Sequence, residues 1–276
     1  MLNKLYMEDH IKAALKEDIG YGDITTENLA DEKDYLKAEL NTRSEGILCG
    51  CDVFKTVFHI LSDNIKINFH FKDGDKIKKG DKIADISGPA KELLMGERVA
   101  LNYIQRMSGI ATETAKYQAA VSPYPAKIVD TRKTTPNFRM FEKYAVKTGG
   151  GALHRFNLSD CAMIKDNHIR LAGSITNAVV KLRKNLSHAH KIEVECDTLE
   201  QVKEAVSVHA DIIMLDNMPV NKMKEAVKII NHTAIVEASG NVRLETVNEI
   251  ASTGVDIISS SAIVAKAPTL DLALDI

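Results

Sequence analysis

KIEVECDTLEQVKEAVSVHADIIMLDNMPVNKMKEAVKIINHTAIVEASG, residues 191–240, decides the fold class. Three short apolar runs, KIEVEC, DIIML and TAIVEA, alternate with stretches 199–208 and 222–230. In those stretches the apolar residues recur every three or four positions, which is the helical period. The short runs have the length and β-branched content of strands. The strands begin about 20 residues apart, as successive βα units do when each helix returns the chain for another parallel strand. Working outward, KIVDT (127–131) and AMIKD (162–166) are expected as strands, with helices over 138–147 and 175–185. Downstream, 244–252 is expected as a helix and VDIIS (255–259) as the last strand. This makes six strands. An open sheet is possible, but a shortened or incomplete (β/α) barrel fits better than the full eightfold form.

The part before this alternation reads differently. Residues 7–17 carry apolar positions at helical spacing, and the glycines in DIGYGDITT end that helix. YLKAELNTRSEGILCG (35–50) looks like strand, turn, strand. Residues 52–61 form a helix burying Val53, Phe54, Val57 and Phe58. Residues 65–71 alternate as a strand with one wet face, and Ile77, Ile83 and Ile86 mark a small sheet with tight turns. A helix over 91–107 is expected to kink or end at Ser108-Gly109, with another over 110–121. SPYP (122–125) closes the segment and marks the change of pattern. The tail, APTLDLALDI, alternates leucines and should return as a strand to the N-terminal sheet.

The 276 residues contain 36 Lys and Arg against 38 Asp and Glu, a formal charge of −2, so no whole-protein field points to nucleic acid or a membrane. No run reaches the roughly 18 apolar residues of a membrane span. The first 18 residues are charged throughout and lack the apolar core of a signal peptide. Cys49, Cys51, Cys161 and Cys196 have no zinc-type spacing. They read as reduced thiols, and the protein is expected in the cytoplasm.

Ligands of parallel α/β folds bind beyond the carboxyl ends of the strands. Listed by strand, those ends carry Thr131-Arg132-Lys133, Lys165 through His168, Glu195, Asp216-Asn217, Ser239-Gly240-Asn241 and Ser259-Ser260-Ser261. Residues 130–168 also concentrate cations, among them Arg139, Lys143, Lys147, His154 and Arg155, around Gly149-Gly150-Gly151. Arg132, Lys133, His154, Arg155 and Lys165 suit carboxylates or phosphates. Glu195 and Asp216 are spaced to hold a divalent cation such as Mg2+, and the Ser and Gly turns suit a phosphate. Each has a plainer alternative. Arg132 and Arg155 could pair with Glu195 or Asp216; His154 or His168 could be hydrogen-bonded scaffold; Lys165 could form a Schiff base as in barrel aldolases. Arg98, alone among apolar neighbours, reads as a surface arginine.

ERVALNYIQRMSGIAT, DTRKTTP, EKYAV, GGGALHR, IKDNHI, KIEVE, LDNM and EASGN occur in this order over nearly the whole chain. Together they resemble the quinolinate phosphoribosyltransferases. The resemblance implies an N-terminal α/β sandwich over 1–110, joined by a C-terminal strand at 268–276, and an incomplete barrel over 111–267. It implies a homodimer with shared active sites, and phosphoribosyl transfer from phosphoribosyl pyrophosphate to quinolinate with Mg2+ and loss of CO2. By the same resemblance, Arg132, His154, Arg155 and Lys165 would hold the quinolinate carboxylates, with Arg98 contributed by the partner subunit. Lys133 would contact phosphoribosyl pyrophosphate. Glu195 and Asp216 would face its ribose and the metal, and Ser239 and Gly240 its 5′-phosphate. The catalytic set would be Lys133, Lys165, Glu195 and Asp216.

The chain departs from the family pattern in three places. Leu153 stands where Asn is common, and Asn137-Phe138 where Gly-Leu is common. Ser261 and Val264-Ala265-Lys266 replace a glycine and a Thr-His-Ser run, so the Ser261 hydroxyl would take over phosphate binding there. The competing readings are a related phosphoribosyltransferase for another aromatic acid, a metabolite sensor on the same fold, and the Lys165 aldolase.

Overall fold

The computed structural model describes residues 2–276 and divides the chain into two compact units. The first takes the chain up to Glu113, with Met140–Gly149 and Ala267–Ile276; the second takes Thr114–Arg139 and Gly150–Lys266.

In chain order the first unit contains α1 (Lys4–Ile19), α2 (Thr26–Leu29), β1 (Tyr35–Thr42), β2 (Gly46–Ile47), α3 (Cys51–Leu61), β3 (Lys66–Phe69), β4 (Lys76–Ile77), β5 (Lys82–Pro89) and most of α4 (Ala90–Val121). Its antiparallel sheet runs C-terminal strand Leu272–Asp275, β1, β5, β3. The alternating leucines of the tail thus bring it back to β1, with Leu40 opposite Leu274. Val53, Phe54, Val57 and Phe58 of α3 are all fully buried, and the Phe54 ring meets Phe69 of β3 edge-on at 5.8 Å. Burial of such side chains is worth about 1.5–3 kcal/mol each.

Three local expectations are corrected. The segment 35–50 is not a hairpin: β2 has two residues and pairs with β4, not β1. The helix is not broken at Ser108-Gly109; α4 runs unbroken through 32 residues. Gly109 is there for a backbone approach, because a Cβ at this position would come within 1.9 Å of the Pro268 carbonyl oxygen. Ser108 is buried, and its hydroxyl accepts the Cys49 amide and donates to the Cys49 carbonyl. Lastly, α5 (Arg139–Thr148) packs almost wholly in the first unit. The Tyr144 hydroxyl donates to Asp73, and Arg106 pairs with the fully buried Glu142.

The second unit holds β6 (Lys127–Val129), β7 (Ala162–Ile164), α6 (Asp166–Ala172), α7 (Ile175–Asn185), β8 (Ile192–Cys196), α8 (Leu199–Ser207), β9 (Ile212–Asp216), α9 (Val220–Ile230), β10 (Ile235–Ser239), α10 (Leu244–Ala251), β11 (Ile257–Ser259) and α11 (Ala262–Ala265). The six strands are parallel in the order β6-β11-β10-β9-β8-β7. β6 and β7 are edges, so this is an incomplete barrel. Successive strand residues face opposite ways. Ile192, Val194, Cys196, Ile213, Leu215, Val236, Ala238 and Ile258 are buried on one face. The other face carries Glu193 and Glu195, Met214 and Asp216, and Glu237 and Ser239. Apolar residues on one face assemble the unit, while polar ones line its interior.

Candidate active site

Two adjoining cavities open at the carboxyl ends of the second unit's strands. One, of about 410 Å³, is lined by Arg132, His154, Arg155, Lys165, Glu195, Met163 and Met214. The other, of about 360 Å³, is lined by Ser239, Gly240, Ser260, Ser261, Arg243 and Lys266. Thr131, Lys133, Asp216, Ser239 and Ser259 line both.

The first cavity is built on the segment after β6. Ala152 donates its amide to Ile128 and bridges Val129 in parallel, so 152–155 follows the edge strand. Gly150, with φ +89°, supplies the left-handed turn that precedes this segment. The buried Asp130 accepts the His154 amide at 2.8 Å. The Arg155 guanidinium donates to the Cys161 carbonyl at 2.8 Å and reaches Met163 Sδ at 3.4 Å. Burial and the neighbouring Arg155 and Arg139 charges push the Arg132 pKa down. Arg132 Nε is buried without a hydrogen-bond partner, as is Ser259 Oγ. Orphaned donors among crowded like charges fit an anion.

Lys165 is the N-cap of α6 and forms an ion pair with Glu195. An amine held as an ammonium by a carboxylate is poorly suited to Schiff-base chemistry, which needs a free amine. His168 is scaffold: its Nδ1 accepts the Lys165 amide at 3.0 Å as part of the helix cap. Lys143 and Lys147 line neither cavity; they lie on α5, and Lys143 is buried there. Arg98 is exposed on α4 of the first unit.

In the second cavity, Gly240 has φ +90°. Asn217 and Asn241 also have positive φ, at 52° and 50°. The Asn217 amide donates to the Ser239 carbonyl, Asn241 Nδ2 donates to Asn217 Oδ1, and Asn217 Nδ2 donates to Asp216. This chain of bonds ties the ends of β9 and β10 and sets the Asp216 carboxylate. Glu195 and Asp216 are half-buried oxygen donors at the ends of adjacent strands, a donor set that suits Mg2+.

Residue-type reasoning assigned no role to Glu193 or Glu237. Both are buried one pleat below the rim, and His154 Nε2 lies 3.5 Å from Glu193 and 3.4 Å from Glu237. The signal was available: each glutamate precedes a rim residue by two positions, in IEVE and VEAS. Burial opposes a charge on the imidazole, but the two carboxylates prevail and raise its pKa to about 10. Nδ1, however, accepts the Arg155 amide at 2.7 Å, which opposes a second ring proton at that atom. We therefore place the ring proton on Nε2, facing the two carboxylates. The three donor atoms lie within 4.8 Å of one another, as metal ligands do. A protonated Nε2 has no lone pair to offer an ion.

Residues 23–108 match the family model "Quinolinate phosphoribosyl transferase, N-terminal domain", and residues 110–275 match the corresponding C-terminal domain. A Bacillus subtilis protein named probable nicotinate-nucleotide pyrophosphorylase (carboxylating) is 43% identical, over 100% of this chain and 95% of its own length. A Synechocystis protein of the same name is 44% identical over 95% and 90%. Among solved structures, NadC from Streptococcus pyogenes superposes with a TM-score of 0.97 at 39% identity, covering 100% of this chain and 98% of that one. The nicotinate-nucleotide pyrophosphorylase from Francisella tularensis gives 0.95 at 40% identity, with 100% and 97% covered.

Proposed function

The chain belongs to the quinolinate phosphoribosyltransferase family, and on that premise we propose that it transfers phosphoribose from phosphoribosyl pyrophosphate to quinolinate. The products are nicotinate mononucleotide, pyrophosphate and CO2. The observation that carries this reading is the paired cavity. One side offers Arg132, Arg155 and Lys165 around two methionines, suited to a flat ring bearing two carboxylates. The other offers Ser and Gly turns with Arg243 and Lys266, suited to a phosphate. Lys133 and Asp216 stand between them, where the two substrates meet.

Arg132 and Arg155 receive the carboxylates, and Lys165 exchanges Glu195 for the ligand. The ring nitrogen then lies toward Asp216. As the bond from C1′ to pyrophosphate breaks, positive charge grows on the ribose, and Glu195 and Asp216 stabilise it. Mg2+ held by the same two residues would neutralise charge on the departing pyrophosphate. The new N–C1′ bond leaves a pyridinium. The C2–carboxylate bond then breaks, its electron pair stays on C2 beside the positive nitrogen, and a proton takes the place of CO2. No protein nucleophile is required.

We place the enzyme in the cytoplasm as a homodimer in which Arg98 of one subunit completes the other's site. Free cysteines fit a reducing compartment. Among the described residues, no helix is long and apolar enough to cross a membrane. The test is incubation of purified protein with quinolinate, phosphoribosyl pyrophosphate and Mg2+, with chromatographic detection of nicotinate mononucleotide. Product from nicotinate and none from quinolinate would overturn the substrate assignment.

A further inference from the structure

Two buried carboxylates under an anion-binding cavity are costly. Each loses hydration, and both oppose the charge the cavity is built to receive. Glu193 and Glu237 are nevertheless both retained inside the barrel, at 0% and 1% exposure. Glu193 Oε1 and Oε2 and Glu237 Oε1 make no hydrogen bond of normal geometry. Each glutamate approaches Nε2 of the same imidazole, Glu193 at 3.5 Å and Glu237 at 3.4 Å. The strand ladders do not need these side chains, and apolar residues would fill the space at lower cost.

What the pair does is visible at the other edge of the ring. With Nε2 held between the carboxylates, Nδ1 is turned to the Arg155 amide. The preceding amide, of His154 itself, ends on Asp130. Successive peptide groups are thereby anchored at the residue whose guanidinium lines the cavity. Both imidazole nitrogens are engaged within the chain, and the ring lines the cavity beside Arg155.

We infer that Glu193 and Glu237 are positioning residues for the dicarboxylate substrate: they hold His154, and His154 holds the backbone that aims Arg155. The inference rests on the substrate proposed above.

The test uses the full-length protein with Glu193→Gln and Glu237→Gln, which keep shape and remove the charge that grips the ring. Each is expected to raise KM for quinolinate about tenfold, the scale of one hydrogen bond to a charged group. KM for phosphoribosyl pyrophosphate should stay within about twofold and kcat should be retained, because the lost interaction serves ground and transition states alike. Unchanged quinolinate KM in both variants, or equal rises for both substrates, overturns the inference. Wild-type protein that forms no product would refute the proposed reaction instead. Calorimetric binding of quinolinate to the same variants would then decide the positioning role. If the variants do not fold, 15N NMR of wild-type His154 decides it. A ring protonated at Nε2 and accepting at Nδ1 supports the inference, and a ring protonated at Nδ1, which could not accept the Arg155 amide, overturns it.

Discussion

Gly240→Ala tests the second cavity with a single methyl group. A Cβ on this backbone would lie 2.3 Å from Asn217 Oδ1, 2.5 Å from its Cγ and 2.8 Å from its backbone nitrogen. The side chain could swing away, but the backbone nitrogen is fixed by its bond to the Ser239 carbonyl. An alanine at φ +90° costs about 1–2 kcal/mol before any contact is counted. Displacing Asn217 breaks its bonds to Asn241 and Asp216, each worth about 0.5–1.5 kcal/mol. The total is about 2–5 kcal/mol. If the turn keeps its shape, the strain appears as a fall in Tm of roughly 4–20 °C, at about 2–4 °C per kcal/mol for a unit of this size. If the turn yields, Tm recovers, but Asp216 and the phosphate cradle move and KM for phosphoribosyl pyrophosphate rises about tenfold or more. Differential scanning calorimetry and initial rates on one preparation distinguish these outcomes. A variant with wild-type Tm and wild-type KM would refute the crowding at Gly240 and the role given to the turn.

A shared site predicts complementation. Arg98→Ala and Lys133→Ala chains, each inactive alone, should regain about a quarter of wild-type activity after random mixing, since half the dimers are hybrid and one site in each hybrid is intact. No recovery, with hybrids demonstrated by native mass spectrometry, removes the shared site. The thiols should be inert in the native protein. Cys49, Cys51 and Cys196 are buried, and Cys161 is pushed up to about 11, mainly by burial. Since this folded pKa lies above the free value of 9.0, the stabilisation from the neutral Cys161 thiol is complete below pH 9 and lost as pH rises through 11. Iodoacetamide at pH 8 should therefore label slowly until denaturant is added; rapid native labelling of Cys161 would contradict its environment.

The second unit was the more legible because its strands are buried on one face by helices. That makes outward positions such as Val194, Leu215 and Ala238 apolar, and it brings polar residues to strand ends, where they stand out. What could not be read depends on contacts distant in sequence. Gly109 looks like a helix breaker until Pro268 is seen against it. β2 is assigned to β1 by proximity, yet its ladder is with β4, some 30 residues on. At the rim, the cationic residue types were evident, but their sorting was not: Lys143 goes to the first unit and His168 to a helix cap. Glu193 and Glu237 were hidden because a buried acid within an apolar run carries no local mark of its partner.

The six-stranded sheet never closes on itself. In a closed barrel, strand number and shear dictate the bore, and changing it means shifting hydrogen-bond register throughout. Here β6 and β7 are left as a seam, and the chain around residues 149–161 borders it, joined to β6 through the Val129–Ala152 bridge. The width of the mouth is therefore a loop property. Lengthening or shortening that stretch can resize the entrance for a larger or smaller acid while every rung of the sheet stays in place.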